Sequence, residues 1–170
     1  MKIFLIGLPG SGKTTIGNAL AKEIKFNYLD LDKILERNEG RLIEEIWATD
    51  GEPYFRVLEK ANLKNQIPNQ GNYVIACGGG IVLDIENKKY MDGLKIFLDT
   101  DINTLKTRLK SEEDKRPLMK TVSVEILHDV RYPLYKDFSD IIVTNNYDVN
   151  TTIKVIINYL KAVYGKDFNN

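Results

Sequence analysis

Short apolar runs recur along the chain, separated by segments whose apolar residues fall three and four positions apart. Lys2-Ile3-Phe4-Leu5-Ile6 is apolar after its first residue, carries β-branched side chains and stops at a glycine-rich turn, which predicts a buried strand over residues 2–6. Comparable runs predict strands over 27–29, 73–76, 95–98 and 140–143. Ile16, Leu20 and Ile24 share one face of a predicted helix over 15–25, and a further helix is expected over 101–110. Ile153, Ile156, Ile157, Leu160 and Tyr164 give a last helix, over 151–164, one side with which to pack on a sheet. Five strands alternating with helices imply an α/β fold with a mainly parallel, buried sheet.

The stretch between the second and third strands is longer than one crossover helix needs. Its pattern predicts short helices over 32–38, 42–49 and 52–66, interrupted at Gly40 and Gly51, and this insertion of about 32–66 reads as an acceptor-binding lobe. The charged, proline-containing stretch of about 111–121 reads as a lid, and 166–170 as a frayed tail. With no repeat, low-complexity segment or long linker, residues 1–170 read as a single domain.

Composition narrows the class of partner. Lys plus Arg and Asp plus Glu number 24 each, so the formal net charge is +0 and no global field attracts nucleic acid or an anionic membrane. A small-molecule partner is expected. Residues 1–8 are too short an apolar run for a signal peptide, and no stretch approaches the roughly 18 apolar residues of a membrane span. Cys77 is the single cysteine and His128 the single histidine, which leaves no basis for a disulfide framework or a Cys/His zinc cluster. The cytoplasm is the expected location.

Candidate chemistry starts at Gly7-Leu8-Pro9-Gly10-Ser11-Gly12-Lys13-Thr14, which fits the phosphate-loop pattern G-x-x-x-x-G-K-[ST] between a predicted strand and a predicted helix. Such a loop curls its backbone N–H groups around phosphates at a helix N-terminus. Gly10, Ser11, Gly12, Lys13, Thr14 and Thr15 are the expected ATP-binding residues. Lys13 would reach the β- and γ-phosphates, and the Thr14 hydroxyl would ligate Mg²⁺.

Asp30-Leu31-Asp32 closes the second predicted strand, and residues two apart on a strand project to the same face. One carboxylate would then hold Mg²⁺ through water while the other accepts a proton from an attacking hydroxyl; alternatively, Asp32 caps the following helix. Arg56 and Glu59 are i,i+3 neighbours, either a surface ion pair or an arginine held ready to grip an acidic substrate. Gly78-Gly79-Gly80 follows a buried strand, and marks either a close ligand approach or a flexible connector. Cys77 reads as a small buried hydrophobe and His128 as a packing or solvent-facing residue. Arg116 and Arg131 are either exposed arginines or, for the lid, a cation brought over a transferring phosphoryl group.

Taken in order, these blocks resemble the shikimate kinase family of P-loop proteins: residues 7–15, Asp30-Leu31-Asp32, Phe55-Arg56-Val57-Leu58-Glu59, Gly78-Gly79-Gly80, and Arg116-Pro117-Leu118 followed by Arg131 with Pro133-Leu134-Tyr135. The resemblance implies a three-layer P-loop kinase fold with a five-stranded parallel sheet in order 2-3-1-4-5. It implies ATP and Mg²⁺, and phosphorylation of the shikimate 3-hydroxyl; a monomer is expected. By the same resemblance, Asp32 binds ring hydroxyls and acts as base, Asp30 lies near Mg²⁺, and Arg56 and Arg131 hold the substrate carboxylate. Gly78, Gly79 and Gly80 line the ring, Arg116 reaches the phosphates from the lid, and Arg108 stacks on adenine. The catalytic set is thus Lys13, Asp32 and Arg116. Trp47, Cys77 and Met119 depart from the usual family pattern without removing a charge the reaction needs. A gluconate-type kinase, a nucleoside monophosphate kinase and a non-catalytic ATP-binding module are the competing readings; intact Lys13, Thr14, Asp32 and Arg116 argue against the last.

Overall fold

The computed structural model describes residues 1–110 and 122–165. The expected lid of 111–121, with Arg116, and the tail of 166–170 lie outside the described residues. In chain order the elements are β1 (Lys2–Ile6), α1 (Lys13–Glu23), β2 (Asn27–Asp30), α2 (Leu31–Glu39), α3 (Ile43–Gln66), β3 (Tyr73–Ala76), β4 (Leu94–Asp99), α4 (Ile102–Leu109), α5 (Val124–Phe138), β5 (Ile141–Thr144) and α6 (Val149–Tyr164), with two 3₁₀ turns, Ile81–Leu83 and Ile85–Tyr90, between β3 and β4. The strands form one parallel sheet in the order β2-β3-β1-β4-β5, as the family resemblance implies.

The central strand β1 feeds both faces of the sheet, because successive strand side chains alternate. Phe4 and Ile6 join Ile75 and Phe97 beneath Leu105, Leu127, Tyr135 and Phe138 on one face. Ile3 and Leu5 join Val74, Ile96 and Val143 against Ile16 and Leu20 of α1 and Ile153, Ile156 and Leu160 of α6 on the other. This double burial is why β1 reads as an unbroken apolar run. Phe97 and Tyr135 stack with centroids 5.1 Å apart, a geometry worth about 0.5–1.5 kcal/mol beyond burial.

The helical insertion has a small core of its own, Leu35, Ile46 and Phe55, against which Ile43, Trp47 and Leu58 pack. Both expected interruptions occur. Gly40 ends α2 at φ 65°, a left-handed conformation that a Cβ disfavours. Gly51 is non-helical inside α3, so that element is two helices meeting at a kink just before Pro53.

One local expectation is corrected. Asp30 and Asp32 do not share a strand face, because β2 stops at Asp30 and the helix begins at Leu31. Asp30, not Asp32, is the cap: its Oδ1 accepts from the Lys33 N–H at 3.3 Å, leaving Asp32 in the first helical turn. The strand ends and the helix starts where the Asp30 carboxylate satisfies an orphan N–H of the first turn.

Candidate active site

The phosphate loop leaves β1 at the carboxyl edge of the sheet and runs directly into α1, so its backbone faces the position where open parallel sheets bind ligands. Gly12 has φ 88°, and a Cβ there would lie 2.8 Å from Asn145 Nδ2; both the conformation and the space require glycine. Lys13 Nζ arches over the loop and donates to the carbonyls of Gly7 at 2.8 Å and Leu8 at 2.9 Å. Asn145 Nδ2 donates to the Ser11 carbonyl at 2.6 Å, and its Oδ1 accepts from the Thr152 hydroxyl at 2.7 Å. The end of β5 is thereby tied to both the phosphate loop and α6.

The loop borders a cavity of about 790 Å³. Gly10, Gly12, Lys13, Thr14 and Thr15 line it, together with Asp30, Asp32, Arg56, Gly78, Gly79, Gly80, Arg108 and Arg131. Residues from opposite ends of the chain therefore converge on one space. Ser11 is the exception: it is fully buried, its N–H donates to the Leu8 carbonyl at 3.1 Å, and it does not line the cavity.

At the phosphate end, the Thr14 hydroxyl donates to Asp30 Oδ2 at 2.9 Å, and the Tyr28 hydroxyl donates to the same oxygen at 3.1 Å. Burial, and then the adjacent Asp30 charge, push the Tyr28 phenol well above its ordinary range, so it is a donor at neutral pH. Because Thr14 donates its proton, its oxygen lone pairs are left for a cation. A hydroxyl and a carboxylate are the hard oxygen donors that Mg²⁺ takes, so these residues fit that ion. Arg108 lies across the loop, with Nη2 donating to the Asn145 carbonyl at 3.1 Å.

On the same cavity wall, Arg56 is held from two sides. Nη1 donates to Glu59 Oε2 at 2.7 Å, while Nε and Nη2 donate to Glu52 Oε1 at 3.1 and 2.9 Å. Its guanidinium lies 5.1 Å from the Phe55 ring centroid and 5.7 Å from that of Trp47, placing the sequence-flagged Trp47 on the cavity wall. Glu59 is only 6% exposed, so this is no surface ion pair. Burial pushes the Glu59 carboxyl up, against the pull of Arg56; burial also opposes the Arg56 charge, but Glu59 and Glu52 outweigh it and hold that pKa up. Arg131 is 4% exposed and donates to the Gly79 carbonyl at 2.9 Å, an acceptor shared with the Tyr135 hydroxyl at 2.5 Å.

The glycine triplet has a steric explanation in which each residue yields space to a different group. A Cβ at Gly78 would collide with Glu59 Oε1 and lie 2.8 Å from Asp32 Oδ1. At Gly80 it would fall inside the Arg56 guanidinium, and at Gly79 it would press on Pro9 at 3.2 Å. The protein's own side chains approach these glycines closely, leaving no room for a Cβ.

Cys77 is buried and burial pushes its thiol up, which fits a small hydrophobe. His128 stacks on Tyr132 at 4.9 Å between centroids, away from the cavity lining. Asn145, Tyr28, Tyr135 and Glu52 were not anticipated. Two of them carried a sequence signal: Tyr135 stands in the block that begins at Arg131, and Asn145 lies at the carboxyl end of a strand in an α/β sheet.

A family model described as shikimate kinase matches residues 9–161. A shikimate kinase from Synechococcus elongatus is 44% identical over 122 residues, covering 71% of this chain and 63% of that protein. One from Legionella pneumophila is 37% identical over 170 residues, covering 96% and 95% respectively. The solved structure of shikimate kinase from Acinetobacter baumannii in complex with shikimate matches with a TM-score of 0.85 and 28% identity, over 96% of this chain and 92% of that one.

Proposed function

The chain belongs to the shikimate kinase family, and from that premise we propose that it transfers the γ-phosphate of ATP to the 3-hydroxyl of shikimate. The observation that carries this reading is one cavity lined by the phosphate loop, by Arg56 and Arg131, and by Asp32. Shikimate bears a carboxylate and hydroxyls, and this polarity matches that arrangement.

Lys13 exchanges its contacts to the Gly7 and Leu8 carbonyls for the β- and γ-phosphates, so the bound nucleotide draws the ammonium off the loop. Arg56 and Arg131 take the acceptor carboxylate. Arg56 has its Nη1, Nη2 and Nε already anchored, so little side-chain freedom remains to be lost on binding. Asp32 accepts the proton as the 3-hydroxyl oxygen bonds to the γ-phosphorus and the bond to the bridging oxygen of ADP breaks. Phosphoryl transfer depends mainly on positioning and charge stabilisation, so an ordinary carboxylate suffices as base. Mg²⁺, when bound, would be held by Thr14 and, through water, by Asp30, and would neutralise charge on the phosphates. Gly10, Gly12 and Thr15 border the phosphates, Ser11 contributes through the loop backbone, and Arg108 serves the adenine. Gly78, Gly79 and Gly80 admit the ring. Arg116, outside the described residues, takes the lid role that the family resemblance implies.

We place the enzyme in the cytoplasm as a monomer with no nucleic-acid or membrane partner. No helix among the described residues is long and apolar enough to cross a membrane. Phosphorus NMR of a reaction containing ATP and shikimate tests the proposal. A phosphomonoester coupled to the C3 proton is expected; orthophosphate as the sole new phosphorus species alongside ADP would contradict it.

A further inference from the structure

Tyr28 and Asp30 lie two apart on β2, so both side chains project to the face covered by α1. The Tyr28 ring fits against that helix because residue 17 is glycine: a Cβ there would lie 2.7 Å from Tyr28 Cε2 and 3.2 Å from a Leu5 methyl. Wedged in this way, the ring delivers its hydroxyl to Asp30 Oδ2, the oxygen that also accepts from Thr14. The other carboxylate oxygen is held by the helix-capping N–H of Lys33 at 3.3 Å, a long contact. Tyr28 itself does not line the cavity.

We propose that Tyr28 is a positioning residue for the cation end of the site, locking Asp30 so that Thr14 and Asp30 present a preset pair of oxygens. This rests on the reading that those two residues hold Mg²⁺, and deepens it. A carboxylate held only by Thr14 and a long capping bond would turn freely whenever the threonine reoriented toward a ligand. The Tyr28 hydroxyl bond persists through that change, because the ring is seated against Gly17 and β2 is paired with β3 from Asn27 to Asp30. Asp30 is therefore preorganised from behind by a residue that touches neither nucleotide nor acceptor.

The test is Mn²⁺ binding in the presence of ATP, read from the paramagnetic resonance signal of free Mn²⁺, for the wild type, Tyr28→Phe and Asp30→Asn. Shikimate affinity is measured alongside. Tyr28→Phe keeps the ring and loses one hydrogen bond, so Mn²⁺ affinity is expected to fall about three- to tenfold. Shikimate affinity should not change, and Asp30→Asn should lose more. Mn²⁺ affinity equal to wild type in Tyr28→Phe, with Asp30→Asn weakened, overturns the role of Tyr28 alone. Equal affinity in all three proteins overturns the cation reading beneath it. A uniform loss of Mn²⁺, ATP and shikimate binding in Tyr28→Phe also overturns the proposal, since it marks a general structural role.

Discussion

The Arg56 guanidinium occupies the space that a side chain on Gly80 would need, so the third glycine of the triplet and the arginine of α3 are one structural unit. Gly80→Ala should expel the guanidinium and break its contacts to Glu52 and Glu59. The expected result is an acceptor KM raised about tenfold or more, with ATP KM unchanged, because a charge-assisted contact is worth roughly 1.5–3 kcal/mol. Steady-state kinetics with each substrate varied in turn reads the split; equal effects on both substrates would separate Gly80 from the acceptor site.

Arg56→Ala removes the same contact directly. Acceptor affinity measured calorimetrically should fall by roughly 1.5–3 kcal/mol, with nucleotide affinity retained. It also leaves Glu59 buried without its counter-ion, so stability should drop too. Adding Glu59→Gln to Arg56→Ala should recover stability but not acceptor affinity. Recovery of both would mean that Arg56 acts on the substrate only through the fold.

Asp32→Asn keeps the size of the side chain and abolishes its basicity. A loss in kcat of about 10²–10⁴ is expected, the usual share of general-base catalysis, with ATP binding intact. The structure already removes the simplest alternative, since Asp30 and not Asp32 caps α2. A near-normal kcat would reassign Asp32 to orienting the acceptor.

Glu59 makes a pH-dependent contribution whose sign follows from its raised pKa. Burial favours its neutral form, so above the ordinary value of 4.5 the folded state retains a proton that the unfolded state has released. This contribution to stability is complete below 4.5 and is lost as pH rises through the folded value. Glu59→Gln does not titrate. The stability of wild type minus that of Glu59→Gln should therefore decline as pH rises above 4.5, measured by chemical denaturation. A difference that grows with pH would show that the Arg56 pair outweighs burial.

Much of the architecture is legible in the sequence because it follows from local pattern. The runs 2–6 and 73–76 coincide with β1 and β3, and the other strands differ by a residue or so. Both expected helix breaks fall at Gly40 and Gly51, where only a glycine takes the observed backbone conformation readily. The shared strand face expected for Asp30 and Asp32 fails because the helix start at Leu31 depends on a carboxylate reaching a backbone N–H, not on hydrophobic period. The site was legible to a different degree. Lys13 and Thr14 stand in a motif whose spacing carries its mechanism, whereas the spacing of Arg56 and Glu59 leaves a surface ion pair open and only the fold shows Glu59 buried. Asn145, Tyr28 and Tyr135 act through contacts to Ser11, Asp30 and Gly79, and two of these three cross more than fifty positions of sequence. No local pattern encodes such pairs. For the glycine triplet the sequence left a close ligand approach and a flexible connector open, and only the fold identifies Arg56, Glu59, Asp32 and Pro9 as groups that approach it.

The most direct test of the account is ADP release followed by a coupled assay, with shikimate, gluconate, AMP or no acceptor in parallel reactions. Turnover that depends on shikimate, with little release in the other three, is the predicted result. Strong turnover with gluconate and none with shikimate would contradict it.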